Sequence, residues 1–368
     1  MKREHVLVFQ GAHVHLIPVA ISVDGGEGLA FRKLPIFSVG MIRVAAHGYP
    51  NVVQTPEPLV YVIPSPAVLA PATADTEQTD GLDEGFQRAM ETLFTKPTPQ
   101  SVDGSKPTSP DVFVSHVVQT FSQATGIGLS DLGCHYAKDI KAFTRVLREI
   151  LEWAYLVWLI ERSKQQRLLD FRRILFIKDG RLAQVGVANS FRERLMKYFE
   201  DHHVLLVGVS KTSRLVAEGL TSLVVGQWLE RQQALLDHGQ FVIRVPEELL
   251  RASYHYERQW NADEENTFVM GRRFVMRLFE EVFHPLDSVT VFDVPTYLEE
   301  EEIKAIASAL YAQRSVLYQG SIGSLVDAHM AASISHNLAL GLEDTLLRKL
   351  KGLLDEDRYQ RFRRWVQT

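Results

Sequence analysis

The spacing of apolar residues changes along the chain, and this change constrains the fold more than any other feature of the sequence. Residues 5–63 contain short apolar runs separated by Gly, Pro and Asn, as is typical of strands joined by turns. The runs are Val6–Phe9, Pro18–Val23, Phe37–Val44 and Leu59–Ile63. From residue 138 to about 168 the apolar residues instead recur at helical spacing. We therefore expect an antiparallel β-meander followed by one long helix.

The rest of the chain alternates between strand-like and helix-like patterns. Strands are predicted at 174–177, 204–209, 241–243 and 289–292, and helices at 212–237, 268–281, 299–311 and 325–353. Between residues 64 and 110 the composition shifts to Pro, Thr, Ser, Asp and Gly, as in linkers, although 86–93 is compatible with one short helix. The order predicts an α/β domain on a mixed sheet, divided into a meander (1–63), an insertion or flexible arm (64–135) and the remainder (136–368).

Composition and charge exclude several classes of protein. The chain has 368 residues, 46% of them hydrophobic, which is enough for a large core. Its single cysteine, Cys134, excludes an intrachain disulfide and a cysteine-based zinc site, and fits a reducing cytoplasm. The N-terminus is a poor secretory signal, and the longest apolar run, 150–160, is too short to span a bilayer. A net charge of −5 argues against coating nucleic acid with the whole surface.

Two Asp-Gly dipeptides directly follow strand-like apolar runs. Asp24 follows Ala20–Val23, and Asp179 follows Ile174–Lys178. A tight turn is the ordinary explanation of Asp-Gly, but ligands of open α/β sheets collect where strands end. Carboxylate oxygens there suit Mg²⁺ or Mn²⁺, which can orient a water for attack on a phosphodiester. The two aspartates are therefore candidate metal ligands.

Four blocks of the sequence resemble the NurA nucleases. They are Ile21–Gly25, Leu175–Leu182, Val207–Arg214 and Asp327–Ala332. The chain departs from the family pattern at Gly26, where Ser is usual, and it lacks the Pro that commonly precedes the helix of the last block. The insertion has no evident family counterpart. The resemblance implies a fold similar to ribonuclease H, with a mixed sheet flanked by helices, and metal-dependent cleavage of DNA.

The resemblance also implies a set of site residues. Asp24 and Asp179 are the principal metal ligands, assisted by a glutamate of the long helix and by His329. Position in the motif favours Glu152 as that glutamate, with Glu161 the alternative. Helix and strand lengths do not choose between them. Along the helix, Glu152 lies about 24 Å and Glu161 about 10 Å from the helix end, whereas the following five-residue strand returns about 17 Å in the opposite direction. The strand end therefore falls between the two glutamates.

One cation follows the predicted strand 204–209. Lys211 is expected to contact a substrate phosphate, although Ser210 and Lys211 are also compatible with an ordinary helix start.

The resemblance further implies Mn²⁺ or Mg²⁺ as cofactor and DNA as substrate. It implies a homodimer that docks on a hexameric HerA-type ATPase, in DNA end processing or in defence against phage DNA. Two other classes compete: a NurA-like adaptor subunit without catalysis, and an unrelated phosphate-metabolising enzyme. The joint presence of the carboxylates and His329 argues against the first. The absence of a P-loop or dinucleotide fingerprint argues against the second.

Overall fold

A mixed sheet of nine strands organises the part of the chain that the structure, a computed structural model, describes. The described residues are 6–9, 17–32, 38–50, 55–63, 80–95, 110–132, 139–166, 171–182, 188–210, 219–235, 240–246, 249–250, 271–279, 286, 288–318 and 320–367. The strands are β1 (Val6–Phe9), β2 (Val19–Ala30), β3 (Val39–Tyr49), β4 (Leu59–Ile63), β5 (Ile174–Asp179), β6 (Leu206–Ser210), β7 (Gln240–Arg244), β8 (Arg272–Arg277) and β9 (Val289–Val294). The strand order across the sheet is β1-β7-β8-β9-β6-β5-β2-β3-β4.

Helices cover both faces of this sheet. They are α1 (Asp80–Thr95), α2 (Pro110–Thr125), α3 (Ile140–Gln166), α4 (Asn189–Asp201), α5 (Gly219–Leu235), α6 (Glu300–Ala312), α7 (Gly323–Ala332), α8 (His336–Leu353) and α9 (Glu356–Gln367). None of the described helices combines the length and apolarity needed to cross a membrane. The mixed α/β architecture expected from the apolar spacing is confirmed.

The centre of the sheet places the two Asp-Gly sequences side by side. Strands β2, β3 and β4 form an antiparallel meander, and β5 runs parallel to β2 with Val23 opposite Lys178. Strand β6 continues the parallel part beside β5. Because neighbouring strands lie about 4.8 Å apart, Asp24 on β2 lies beside Asp179, the last residue of β5. The expectation that a strand ends at Asp24 is wrong, because β2 continues to Ala30 and pairs with β3 along this length.

The two faces of β2 pack against different helices because side chains alternate along a strand. Val19, Ile21 and Val23 join the core that contains α3. Ala20 belongs to the core that contains Leu325 of α7. Asp24 lies four residues, an even number, after Ala20. Its side chain is therefore on the same face of β2 as Ala20, the face that packs against α7.

Three predictions about which segments form strands and helices are wrong. The apolar run Val6–Phe9 is not part of the meander, because β1 pairs with β7 at the opposite edge of the sheet. The predicted helix 268–281 contains strand β8 instead, paired with β7 and β9. Its run Phe274–Met276 is buried on both faces of the sheet, and such a short apolar run has no period that separates strand from helix. The predicted helix 325–353 is two helices, α7 and α8, separated by residues 333–335.

The description of 64–135 as an arm is wrong for its described residues. Helix α2 buries Val114, Val117, Val118 and Phe121 at helical spacing, and it packs against α3. Helix α1 contributes Ala89, Met90 and Leu93 to the same core. Residues 64–79 and 96–109 lie outside the described part. The apolar stripe of α2 begins only after the polar stretch 64–110, whose composition had suggested an arm. The described helices form part of the layer over the sheet.

Candidate active site beside the end of strand β5

A cleft of about 620 Å³ opens where β5 ends beside the middle of β2. It is lined by the middle of β2, by the end of β5, by α3 and by α7. Its charged and imidazole side chains are Asp24, Glu27, Arg145, Arg148, Asp179, Arg181 and His329. The fold thus brings three of the predicted site residues, Asp24, Asp179 and His329, into one cavity.

Asp24 is held on both of its oxygens. Its Oδ2 lies 2.8 Å from Nδ1 of His329, and its Oδ1 accepts a hydrogen bond of 2.7 Å from the backbone N–H of Gly25. Only 1% of the Asp24 side chain is exposed, whereas His329 is 55% exposed. The contact fixes the carboxylate and the imidazole relative to each other and leaves the histidine accessible from the cleft.

Close packing between β2 and α7 makes this contact possible. A Cβ added to Gly26 would lie 2.1 Å from the carbonyl oxygen of Ala332, and one added to Gly28 would lie 2.7 Å from Ile334. The Ser that is usual at the position of Gly26 has no room here. Ser22 and Ser324 add a buried hydrogen bond of 2.7 Å between strand and helix.

Glu152 lies behind the cleft, on the α3 side, and is 1% exposed. Its Oε1 accepts a hydrogen bond of 2.6 Å from Arg148 Nη1, and its Oε2 forms an ion pair of 2.7 Å with Lys178 Nζ. A Cβ on Gly25 would lie 2.5 Å from Glu152 Oε1, so the strand approaches Glu152 closely. Both oxygens of this predicted ligand are therefore bound to cations of the chain itself.

Burial acts to lower the pKa of Lys178, but its attraction to Glu152, with smaller contributions from Glu149 and Asp179, outweighs burial and raises the pKa. The ammonium is thus stabilised in its charged form. Lys178 also donates a hydrogen bond of 2.7 Å to the carbonyl oxygen of Asp179.

Arg148 connects the buried pair to the cleft. Its Nη1 donates to the carbonyl oxygen of Gly25 at 3.1 Å, and its Nε donates to Glu27 Oε2 at 3.1 Å. Arg145 lies 3.6 Å from Glu27 Oε1 and is more exposed. These contacts fix one arginine along the cleft wall and leave a second at its rim.

Glu161 is not part of the cleft. Its Oε1 accepts hydrogen bonds of 2.6 Å from Lys164 Nζ and from the hydroxyl of Tyr198. The structure therefore brings Glu152, in the middle of α3, close to the predicted aspartates. Glu161 lies nearer the C-terminal end of α3, away from the cleft. Lys211 lies outside the described residues.

The donor set suits one divalent ion. Among the described residues, no three His, Cys, Asp or Glu side chains form a ready metal cluster. Two carboxylates that face one cleft are nevertheless the protein share of many Mg²⁺ sites, where waters and substrate phosphates supply the remaining ligands. Asp24 and Asp179 provide those oxygens.

The sequence analysis missed Arg148 and Lys178 as members of the site. Lys178 carried a usable signal, since a lysine at the end of the apolar run Ile174–Ile177 requires a buried partner.

Fold and cleft together define an α/β protein with a carboxylate and histidine site where the parallel strand β5 ends beside β2. No known family model matches the chain. No curated protein matches it either.

Solved structures of NurA proteins are similar to this chain. The NurA nuclease from Sulfolobus solfataricus has 13% identity and a TM-score of 0.43, with 92% of this chain and 86% of that one covered. NurA with manganese has 11% identity and a TM-score of 0.33, covering 90% and 89%. NurA bound to dAMP and manganese has 14% identity and a TM-score of 0.32, covering 92% and 89%. At such low identity, function has to be inferred from the residues of the site themselves.

Proposed function

We propose that this chain is a metal-dependent DNA nuclease that hydrolyses phosphodiester bonds. The observation that carries the proposal is the cleft itself. A buried aspartate, Asp24 on β2, is fixed by His329, and Asp179 ends the neighbouring parallel strand β5. Carboxylates for a metal, an imidazole and arginines in one cavity are the groups that phosphodiester hydrolysis needs.

A ribonuclease H-like sheet is part of the proposal. The order β4-β3-β2-β5-β6, an antiparallel meander extended by two parallel strands, supports it. In this arrangement the first aspartate lies on the central strand and the second on its parallel neighbour.

Asp24 and Asp179 would hold Mn²⁺ or Mg²⁺. Such an ion polarises the phosphate and orients the attacking water. In the reaction the water oxygen would bond to phosphorus and release its proton to solvent, and the bond from phosphorus to the leaving oxygen would break. His329, whose Nδ1 contacts Asp24, would give a proton to the leaving oxygen from Nε2.

The cations of the cleft act on the substrate. Arg145 and Arg181 line the cavity and attract the phosphates of the strand on either side of the cut bond. Lys211, which follows β6 in sequence, is proposed to contribute a further phosphate contact.

The test is cleavage of linear DNA by the full-length protein with Mn²⁺, with Mg²⁺ and with a chelator. We expect cleavage with either metal and none in chelator. Asp24→Asn and Asp179→Asn should each lower the rate at least about a hundredfold without unfolding the protein, because each removes charge that the metal requires. Asp327→Asn on α7 is the matched control, since Asp327 does not line the cleft, and it should change the rate by less than about twofold. Full activity of either Asn variant would refute the proposal.

We also propose a homodimer and a HerA-type hexameric ATPase as partners. The net charge of −5 supports the ATPase partner. A negative chain binds DNA weakly, and a motor that delivers the strand would compensate for the weak binding. Light scattering after size-exclusion chromatography should give a dimer, and cleavage should rise with ATP when the ATPase is added. A monomer, or an ATPase that neither binds nor stimulates, would leave a nuclease that acts alone.

A further inference from the structure

Lys178 is enclosed at the back of the site. Its side chain is 5% exposed, and Nζ lies 2.7 Å from Glu152 Oε2 and 5.3 Å from the ring centre of Trp153. Nζ also donates to the carbonyl oxygen of Asp179, the residue that ends β5 in the cleft. Burial of an ammonium is costly unless it is paired and hydrogen-bonded, so these contacts hold a positive charge at one fixed place.

Glu152 has no oxygen that faces the cleft without a cationic partner. Lys178 binds Oε2 and Arg148 binds Oε1, at 2.7 and 2.6 Å. Two-metal sites place their ions about 3.5–4 Å apart, so several carboxylates must be shared between the ions. A second ion in this cleft would have to displace one of the two cations from Glu152.

The charges around the cleft point the same way. Lys178 matches Glu152, and Arg148 reaches Glu27 as well as Glu152. Arg145 and Arg181 bring two further positive charges to the cleft that Asp24 and Asp179 line. A second divalent ion would add positive charge beside a buried ammonium, where screening by water is weak.

We infer that Lys178 is a built-in cation that takes the place of a second metal ion beside Glu152, so that each chain binds one divalent ion. The inference rests on the proposed function and assigns Glu152 and Lys178 to positioning rather than to metal binding. Through the Asp179 carbonyl, Lys178 also sets the end of β5 from which the second aspartate emerges.

The experiment is titration of the full-length protein with Mn²⁺, followed by the electron paramagnetic resonance signal of the free ion. Wild-type protein should bind one Mn²⁺ per chain, with the hyperfine pattern of an isolated ion. Lys178→Met keeps the bulk of the side chain and frees Glu152 Oε2, so it should bind two Mn²⁺ with the line broadening of a coupled pair. Lys178→Arg preserves the charge and should bind one.

Lys164→Met is the matched control. Lys164 also binds a glutamate of α3, at 2.6 Å, but that glutamate is Glu161, away from the cleft. This variant should bind one Mn²⁺ like the wild type.

Two coupled ions in the wild type, or a folded Lys178→Met variant that still binds one, would overturn the inference and leave the nuclease proposal standing. If circular dichroism shows that Lys178→Met does not fold, the inference is tested by the number of Mn²⁺ ions that Lys178→Gln binds and by the wild-type spectrum. Absence of Mn²⁺ binding together with absence of cleavage would instead refute the proposed function.

Discussion

The middle of α3 and its C-terminal part carry the same pair of residue types in different surroundings. Glu152 and Glu161 each bind a lysine, at 2.7 and 2.6 Å. The partner of Glu152 comes from strand β5, and 1% of this glutamate is exposed. The partner of Glu161 lies three residues along the same helix, and 24% of this glutamate is exposed.

The difference shows that the origin of the partner, rather than the residue type, determines what a buried glutamate does. Lys178 is adjacent to Asp179 in sequence, so its pair with Glu152 fixes α3 against the strand that ends in the cleft. The pair of Glu161 with Lys164 and Tyr198 joins α3 to α4 and does not reach the cleft. The first pair supports the site, and the second supports only the packing of helices.

The largest expected effect compares the removal of each glutamate. Glu152→Ala leaves Lys178 buried without its counter-charge, so we expect the free energy of unfolding to fall by about 3–5 kcal/mol. Glu161→Ala leaves a less buried lysine and the Tyr198 hydroxyl, and should cost about 1–2 kcal/mol. Urea denaturation of both variants measures this. Equal losses in the free energy of unfolding would mean that the two glutamate–lysine pairs of α3 contribute equally to stability.

A smaller effect is expected from Gly25→Ala. The added Cβ would lie 2.5 Å from Glu152 Oε1 and 2.9 Å from Arg148 Cγ, so the buried pair must shift. We expect a loss of about 1–3 kcal/mol, as for overpacking of a core, together with slower cleavage.

Gly341→Ala on α8 is the control for this substitution. A Cβ there meets nothing within 4 Å, and alanine favours a helix, so this variant should be slightly stabilised. A Gly25→Ala protein as stable and active as the wild type would show that Glu152 is not tightly held against β2.

The smallest effect concerns the pH dependence of two glutamates on α3. Burial raises the pKa of Glu149, Lys178 opposes this and the charge of Glu152 adds to it. Burial also acts to raise the pKa of Glu161, but its hydrogen bonds from Lys164 and Tyr198 outweigh burial and lower the pKa. A raised pKa favours the protonated acid, so ionised Glu149 reduces stability as pH rises above about 4.5, whereas ionised Glu161 adds stability that is lost as pH falls below it.

Glutamine substitutions should therefore have opposite signs. At about pH 8, Glu149→Gln should raise and Glu161→Gln should lower the free energy of unfolding, each by less than about 1 kcal/mol, and both differences should vanish near pH 4 or below. Urea denaturation at the two pH values measures this. The same sign for both variants would contradict the assigned environments.

Much of the fold could be predicted from the sequence. The meander, the long helix and strands β5, β6, β7 and β9 all have a clear apolar period or sharp turn signals. Strand β8 was misjudged because it is buried on both faces. Helix α2 was missed because it follows directly on the polar stretch 64–110, from which an arm was predicted. The pairing of β1 with β7 could not be predicted, since strand order depends on contacts between residues far apart in sequence.

The site was predictable only in its two aspartates and His329. Asp179 ends β5, where a parallel sheet gathers ligands, whereas Asp24 lies within β2. The resemblance supplied His329. The partners of Glu152 could not be predicted, because they depend on how α3 lies across β2 and β5. Lengths along the helix and strand did not decide whether Glu152 or Glu161 is the glutamate of the site. Only the three-dimensional arrangement brings Glu152 near the cleft.

The contact between Asp24 and His329 joins residues 305 positions apart. A ribosome adds about 5–20 residues per second, so on the order of 15–60 s pass between synthesis of the aspartate and of the histidine. During that interval β2, β3 and β5 can pair, but the imidazole that completes the site does not yet exist. Under the proposed function, a nascent chain is therefore expected not to cleave DNA until helix α7 has been made.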